Sequence, residues 1–181
     1  MLIVMGGLPK AGKTTFVRLL RDRMPDLVVF GPDEMLPKNL ESLSEEEQKE
    51  LRIAAWQKCH ERALSFCTKK RNRLQIAVYD TTGSNLSSLE ELERMCSIYD
   101  HDLLYVFVHD LKERCRQRGV EGSLLDVYFE KLKSVLGHFR PSLTIIKNRG
   151  SLSELIGGVD VVEKTCRAKL SSKTPMTSGL P

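Results

Sequence analysis

Gly7-Leu-Pro-Lys-Ala-Gly12-Lys13-Thr14 decides how this 181-residue chain is read, because it meets G-x-x-x-x-G-K-[ST] at every fixed position. The glycines let the backbone curl until successive N–H groups point inward, and the positive end of a following helix adds to them. Together they form a cradle for phosphate oxygens. The flanks agree with that mechanism. Leu2-Ile-Val-Met5 is a short apolar run of strand type, and an apolar-periodic helix starts near Thr14. Within the motif Lys13 reaches the β- and γ-phosphates, and the Thr14 hydroxyl is placed to ligate magnesium. The binding stretch is therefore Gly7, Leu8, Pro9, Lys10, Ala11, Gly12, Lys13, Thr14 and Thr15.

Outward from the loop, strand-like and helix-like patterns alternate. Leu27 to Phe30, Leu74 to Tyr79, Leu103 to Val108 and Leu143 to Ile146 read as further strands. Ser44-Glu-Glu-Glu47 is a capping box opening a long helix, with Leu51, Ala55, Cys59, Ala63 and Phe66 on one face. Helices are also expected over Ser87 to Tyr99, Leu124 to Leu136 and Leu152 to Leu170, the last interrupted at Gly157-Gly158. Continuous apolar strands separated by helices predict an α/β fold of the P-loop NTPase kind, a parallel sheet covered by helices on both faces. The expected domain is single, residues 1–170, followed by a disordered tail over 171–181 rich in Ser, Lys, Thr, Pro and Gly.

Composition narrows the classes. A net charge of +4 permits an anionic partner without demanding one. Five scattered cysteines with no Cys-x-x-Cys pair argue against a disulfide framework or zinc site and for a reducing, cytoplasmic setting. The apolar run at the N-terminus is too short for a leader or membrane span, so no membrane partner is expected. No Asn-Lys-x-Asp follows a strand, which argues against a GTPase. Asp80-Thr81-Thr82 stands where a motor ATPase usually carries Asp-Glu.

Three groups are candidates for chemistry. Asp33, in Gly31-Pro32-Asp33-Glu34, follows the second strand and so reaches the carboxyl edge of the sheet, where a carboxylate can take the proton of an attacking hydroxyl. Asp80 ends the third strand, a place suited to holding magnesium, and Thr81, Thr82 and Asn85 extend its polar surroundings. Arg114 and Arg118 lie four apart after the fourth strand, on one expected helical face. There they can act as an arginine-bearing lid that neutralises charge on the phosphates. Lys69-Lys-Arg71-Asn-Arg73 is a basic cluster that complements the end of the long helix. Trp56 and Tyr79 read as core.

In this order the pieces Gly-Leu-Pro-Lys-Ala-Gly-Lys-Thr-Thr, Gly-Pro-Asp33, Tyr-Asp80-Thr81, Glu-Arg114-Cys-Arg-Gln-Arg118-Gly and Leu-Leu-Asp126-Val resemble the kinase domain of bacteriophage polynucleotide 5′-hydroxyl kinase. The wider family includes phage modified-base DNA kinases and zeta-toxin-like small kinases. The resemblance spans about residues 1–140. It implies ATP and Mg²⁺ as cofactors, Asp33 as general base, and Arg114 and Arg118 on the ATP phosphates. It also implies a polynucleotide hydroxyl as acceptor, either a 5′-hydroxyl end or the hydroxymethyl group of a modified DNA base, DNA favoured, and a phage-encoded enzyme acting in the host cytoplasm. Two positions depart from the family. Leu36 stands where an arginine binds the acceptor's phosphate, and the asparagine expected two residues after Asp80 is displaced to Asn85. The alternative acceptor is a small molecule, such as a nucleoside monophosphate, a sugar nucleotide or an antibiotic hydroxyl. A third reading is a nucleotide-dependent binding module without transfer activity.

Overall fold

Leu2, Ile3, Val4 and Met5 are all buried, as the central strand of a parallel sheet requires when both faces are covered. In this computed structural model, which describes residues 1–69, 72, 74–139 and 143–173, they belong to β1 (Leu2–Gly6). The chain continues through α1 (Lys13–Arg23), β2 (Val28–Phe30), a 3₁₀ turn (Pro32–Met35), α2 (Glu45–Thr68), β3 (Ala77–Tyr79) and α3 (Leu86–Ile98). It ends with β4 (Leu103–His109), α4 (Lys112–Gln117), α5 (Gly122–His138), β5 (Leu143–Lys147) and α6 (Leu152–Lys173).

The sheet runs β2-β3-β1-β4-β5, with every pairing parallel. Leu2 is in register with Ala77 of β3 on one side and Leu103 of β4 on the other. Connection handedness then assigns the helices. The β1–α1–β2 crossover runs one way along the sheet, whereas the crossovers through α2, α3 and α5 run the other way. Right-handed connections therefore send α1 to one face and those three to the opposite face. The packing agrees, since α1 lies against α6, while α2 packs on α3 and α3 on α5.

The capping box forms as expected. Ser44 Oγ accepts the Glu47 N–H at 3.3 Å, and Glu47 Oε2 accepts the Ser44 N–H at 2.9 Å. Ala55, Cys59, Ala63 and Phe66 are buried along α2. Three expectations need correction. β3 is only Ala77–Tyr79; Leu74 is half exposed, and the chain before the strand is occupied by the N-terminal amine, which donates to the Gln75 carbonyl at 2.7 Å. α6 passes through Gly157-Gly158 without a break. A Cβ on Gly158 would lie 2.5 Å from Ile146 Cγ2 and 3.2 Å from Phe16, so that glycine lets the helix sit close on β5 and α1. Ser171, Ser172 and Lys173 are helical, because Lys173 ties the end of α6 to the Asp100 carbonyl at 2.7 Å and the Asp102 carboxylate at 3.0 Å. Residues 174–181, and Lys70, Arg71 and Arg73 of the basic cluster, lie outside the described residues.

All five cysteines are free and buried. Among the described residues no helix is long and apolar enough to cross a membrane.

Candidate active site

The loop leaving β1 is shaped by residues whose backbone few side chains tolerate. Gly7 has φ +138, and a Cβ there would lie 2.4 Å from the Val108 carbonyl oxygen. Gly12 has φ +101, and its Cβ would lie 2.7 Å from Asn148 Nδ2. Between them Lys10 adopts φ +62. Leu8 and Ala11 are buried, so these two residues have only backbone to offer a ligand. The Gly7 N–H donates to the Thr82 carbonyl at 3.1 Å, and the Ala11 N–H closes onto the Leu8 carbonyl at 3.1 Å. Gly12 caps α1 without any side-chain bond, leaving the first-turn N–H groups of the helix for an anion.

Lys13 is the first residue of α1. Its Nζ donates to the Gly7 carbonyl at 3.0 Å and the Leu8 carbonyl at 2.9 Å. Burial pushes this amine down to about 8, against the opposing pull of Asp80, Cys115 and Asp33. Asp80 is pushed the other way, up to about 6. Burial is the largest cause, Lys13 opposes it, and the neighbouring charges of Asp33 and Glu34 add to it. Its backbone N–H donates to the Phe30 carbonyl at 2.9 Å and holds the ends of β2 and β3 together.

These groups converge on one cleft of about 390 Å³ at the carboxyl edge of the sheet, lined by Lys13, Thr14, Asp33, Glu34, Asp80, Trp56 and their neighbours. Thr14 and Asp33 are exposed to it. Asp33 sits on the 3₁₀ turn after β2, as expected, and caps no helix. Asp80 caps none either, because α3 is capped by Asn85, whose Oδ1 accepts the Ser88 N–H at 3.3 Å. Thr81 is buried and turns inward, its Oγ1 accepting the Gly83 N–H at 3.3 Å. A second groove, about 830 Å³, opens from the same place between α2 and α3. It shares Asp33 and Trp56 with the cleft, and Leu36, Arg52, Ile53 and His60 extend its walls.

Arg114 and Arg118 come together by a route other than the shared helical face. α4 stops at Gln117, and Arg118 is its C-cap. The two arginines meet at Asp110, which lies 2.7 Å from Arg118 Nη1 and 3.8 Å from Arg114 Nη1. Arg118 Nη1 also donates to the Lys10 carbonyl at 2.6 Å. The arginines thus flank the phosphate loop from the β4 side, whereas Asp33 and Asp80 approach it from the β3 side. Arg116 turns to Glu113.

Three residues at the site escape a reading by motif. Asp110 is buried directly after β4. Asn148, buried directly after β5, donates from Nδ2 to the Ala11 carbonyl at 2.7 Å. Both follow strand ends, as Asp33 and Asp80 do, and that position is the signal that could have found them. Trp56 is not core. It is half-buried edge-on against the fully buried Tyr79, 5.9 Å between ring centres, and its other side forms the wall shared by both cavities.

No family model and no curated protein matches the sequence. Solved structures do. The chain is similar to a gluconokinase from Sinorhizobium meliloti 1021 (TM-score 0.58, 15% identity, 95% of this chain and 97% of that one). It is similar also to APE1195 (TM-score 0.56, 15% identity, 94% and 96%). A candidate kinase from Chloroflexus aurantiacus j-10-fl gives TM-score 0.58 at 15% identity, covering 96% and 97%. With the parallel sheet and its glycine-rich loop, these likenesses establish the P-loop NTPase fold.

Proposed function

We propose that this chain is an ATP- and magnesium-dependent kinase that transfers the γ-phosphate to a hydroxyl of a small molecule seated in the groove along α2. One observation carries the reading: Lys13 and Thr14, at the end of the phosphate loop, line a single cleft with Asp80 and Asp33, and that cleft shares Asp33 and Trp56 with the larger groove.

The donor set suits magnesium. A hydroxyl and a carboxylate are hard oxygen ligands, and magnesium takes few of these from protein while keeping several waters. Thr14 and Asp80 would hold the ion, which would neutralise charge on the β- and γ-phosphate oxygens. Lys13 and the loop amides bind the phosphates and oppose the charge that develops in transfer. Asp33, exposed and with a carboxylate that makes no hydrogen bond among the described residues, is free to accept the acceptor's proton where cleft and groove meet. Arg114 and Arg118 complete the phosphate site from the other flank.

The acceptor reads better as a small molecule than as a polynucleotide end. The groove has the volume of small-ligand sites. Leu36 withholds the arginine that the polynucleotide enzymes use. The gluconokinase likeness extends over nearly the whole chain. Labelled γ-phosphate transfer, screened over sugars, sugar acids, nucleosides, nucleotides, antibiotics and 5′-hydroxyl oligonucleotides, tests the proposal. A small hydroxyl acceptor is expected, with transfer requiring Mg²⁺ and lost in Lys13→Ala. Transfer to oligonucleotides alone would restore the polymer reading, and nucleotide binding without any transfer would leave a binding module.

A further inference from the structure

Asp110 has no part in the chemistry described so far, yet both phosphate-site arginines are built around it. Its side chain is 0% exposed, whereas those of Arg114 and Arg118 remain 31% and 37% exposed beside the loop. Oδ1 accepts the Leu111 N–H at 2.8 Å, which fixes the carboxylate at the start of α4. Oδ2 accepts from Arg118 Nη1 at 2.7 Å, and the same nitrogen donates to the Lys10 carbonyl at 2.6 Å, inside the phosphate loop. Arg114 Nη1 lies 3.8 Å from Oδ1. It is buried without a hydrogen-bond partner among the described residues and backs onto Gly150, where a Cβ would come within 2.8 Å.

We infer that Asp110 is a positioning residue for nucleotide binding, acting through Arg118: it holds the guanidinium against the phosphate loop before any phosphate arrives. The inference rests on the kinase reading of the loop. A long arginine side chain loses rotamer freedom when it grips a ligand, and an arginine already fixed loses less. Among the described residues both side-chain hydrogen bonds of Arg118 use Nη1, so the rest of the five-donor fork stays available to an anion. Two guanidiniums around one carboxylate keep a net charge of +1 there, so the carboxylate orients the pair without cancelling its attraction for phosphate. The asymmetry of exposure fits this role, with the anchor inside and the grips at the surface.

The test is a double-mutant cycle on the full chain. A fluorescent ATP analogue with Mg²⁺ reports affinity, and thermal melting reports folding. Asp110→Asn, Arg118→Gln and the double variant are compared with the parent. Asp110→Asn is expected to weaken nucleotide affinity roughly 10- to 100-fold, by analogy with the loss when the partners that orient metal-binding side chains are removed. In the Arg118→Gln background it should cost no further affinity. If Asp110→Asn alone fails to fold, the double variant, in which the charged pair becomes a neutral one, still decides when set against Arg118→Gln: equal affinity of the two supports the inference, and weaker binding by the double variant overturns it. Near-parental affinity of Asp110→Asn, or an additional loss in the double variant equal to its loss alone, overturns the inference. Absence of nucleotide binding by the parent protein would instead overturn the kinase reading beneath it.

Discussion

Asp80→Asn should make the metal-free protein more stable while weakening its response to magnesium nucleotide. Burial, opposed by Lys13 and reinforced by Asp33 and Glu34, raises the carboxyl from 3.8 to about 6. At roughly 1.4 kcal/mol for each tenfold, that rise means the ionised carboxylate costs the fold about 3 kcal/mol at neutral pH. The attraction to Lys13 is already contained in that net figure. Asparagine keeps a smaller desolvation cost of its own, so the expected gain is about 1–2 kcal/mol. For a chain of this length that is a rise in Tm of about 2–8 °C. The pH dependence fixes the cause. With the folded value above the unfolded one, the folded chain holds the extra proton between them. The stability Asp80 allows is complete below about pH 4 and lost as pH rises through 6. The advantage of asparagine should therefore be full at pH 7.5 and gone by about pH 4.5, where the ionisation cost has fallen to about 1 kcal/mol and asparagine's own desolvation cost is unchanged. Thermal melts with a chelator present, at both pH values, measure it. Added Mg²⁺ and ATP should then raise the parental Tm more than that of the variant. A variant no more stable than the parent at pH 7.5, or equally advantaged at both pH values, would refute the reasoning.

Asp33→Asn is expected to lower the rate of transfer about 10²–10⁴-fold while sparing nucleotide affinity, as removal of a general base does. An equal loss of both, by single-turnover kinetics and titration, would return Asp33 to a structural role. Gly7→Ala places a Cβ 2.4 Å from the Val108 carbonyl at a φ of +138, so the loop must shift. Nucleotide binding should fall at least tenfold, with about 1–3 kcal/mol lost from stability and the circular dichroism of the fold retained. Unchanged binding would mean the loop has slack. Trp56→Ala should raise the acceptor KM roughly tenfold, the loss of an aromatic wall, with the KM for ATP unchanged. A shift in the ATP value alone would place Trp56 with the nucleotide.

The phosphate loop was legible because its function resides in backbone conformation. Glycines at 7 and 12 take up positive φ wherever the chain places them, and Lys13 and Thr14 follow in fixed order. The capping box of α2 is equally local, a serine and a glutamate three residues apart satisfying each other. Asp33 and Asp80 were found by one step more, since a polar residue after a buried strand in a parallel sheet reaches the ligand edge. The same step applied to β4 and β5 would have reached Asp110 and Asn148, but neither belongs to the phosphate-loop motif.

Local pattern could not supply strand order or the contacts that depend on it. β3 enters between β1 and β2, which puts Asp80 next to the loop and Asp33 one strand further out, facing the groove. β4 lies on the other side of β1 and carries Asp110 to Lys10, so that Arg118 bridges a separation of 108 residues. Gly158 reads as a helix breaker by propensity, yet it is a packing residue, because only the approach of Ile146 and Phe16 gives its missing side chain a purpose. Trp56 reads as core by type and is made a cleft wall by the turn that swings Asp33 beside it. Sequence by itself determined the elements, their parallel class and the phosphate cradle, all set within a few residues by conformational preference. The tertiary structure alone decided which charged groups face each other, because those distances follow from burying strands far apart in the chain through right-handed crossovers.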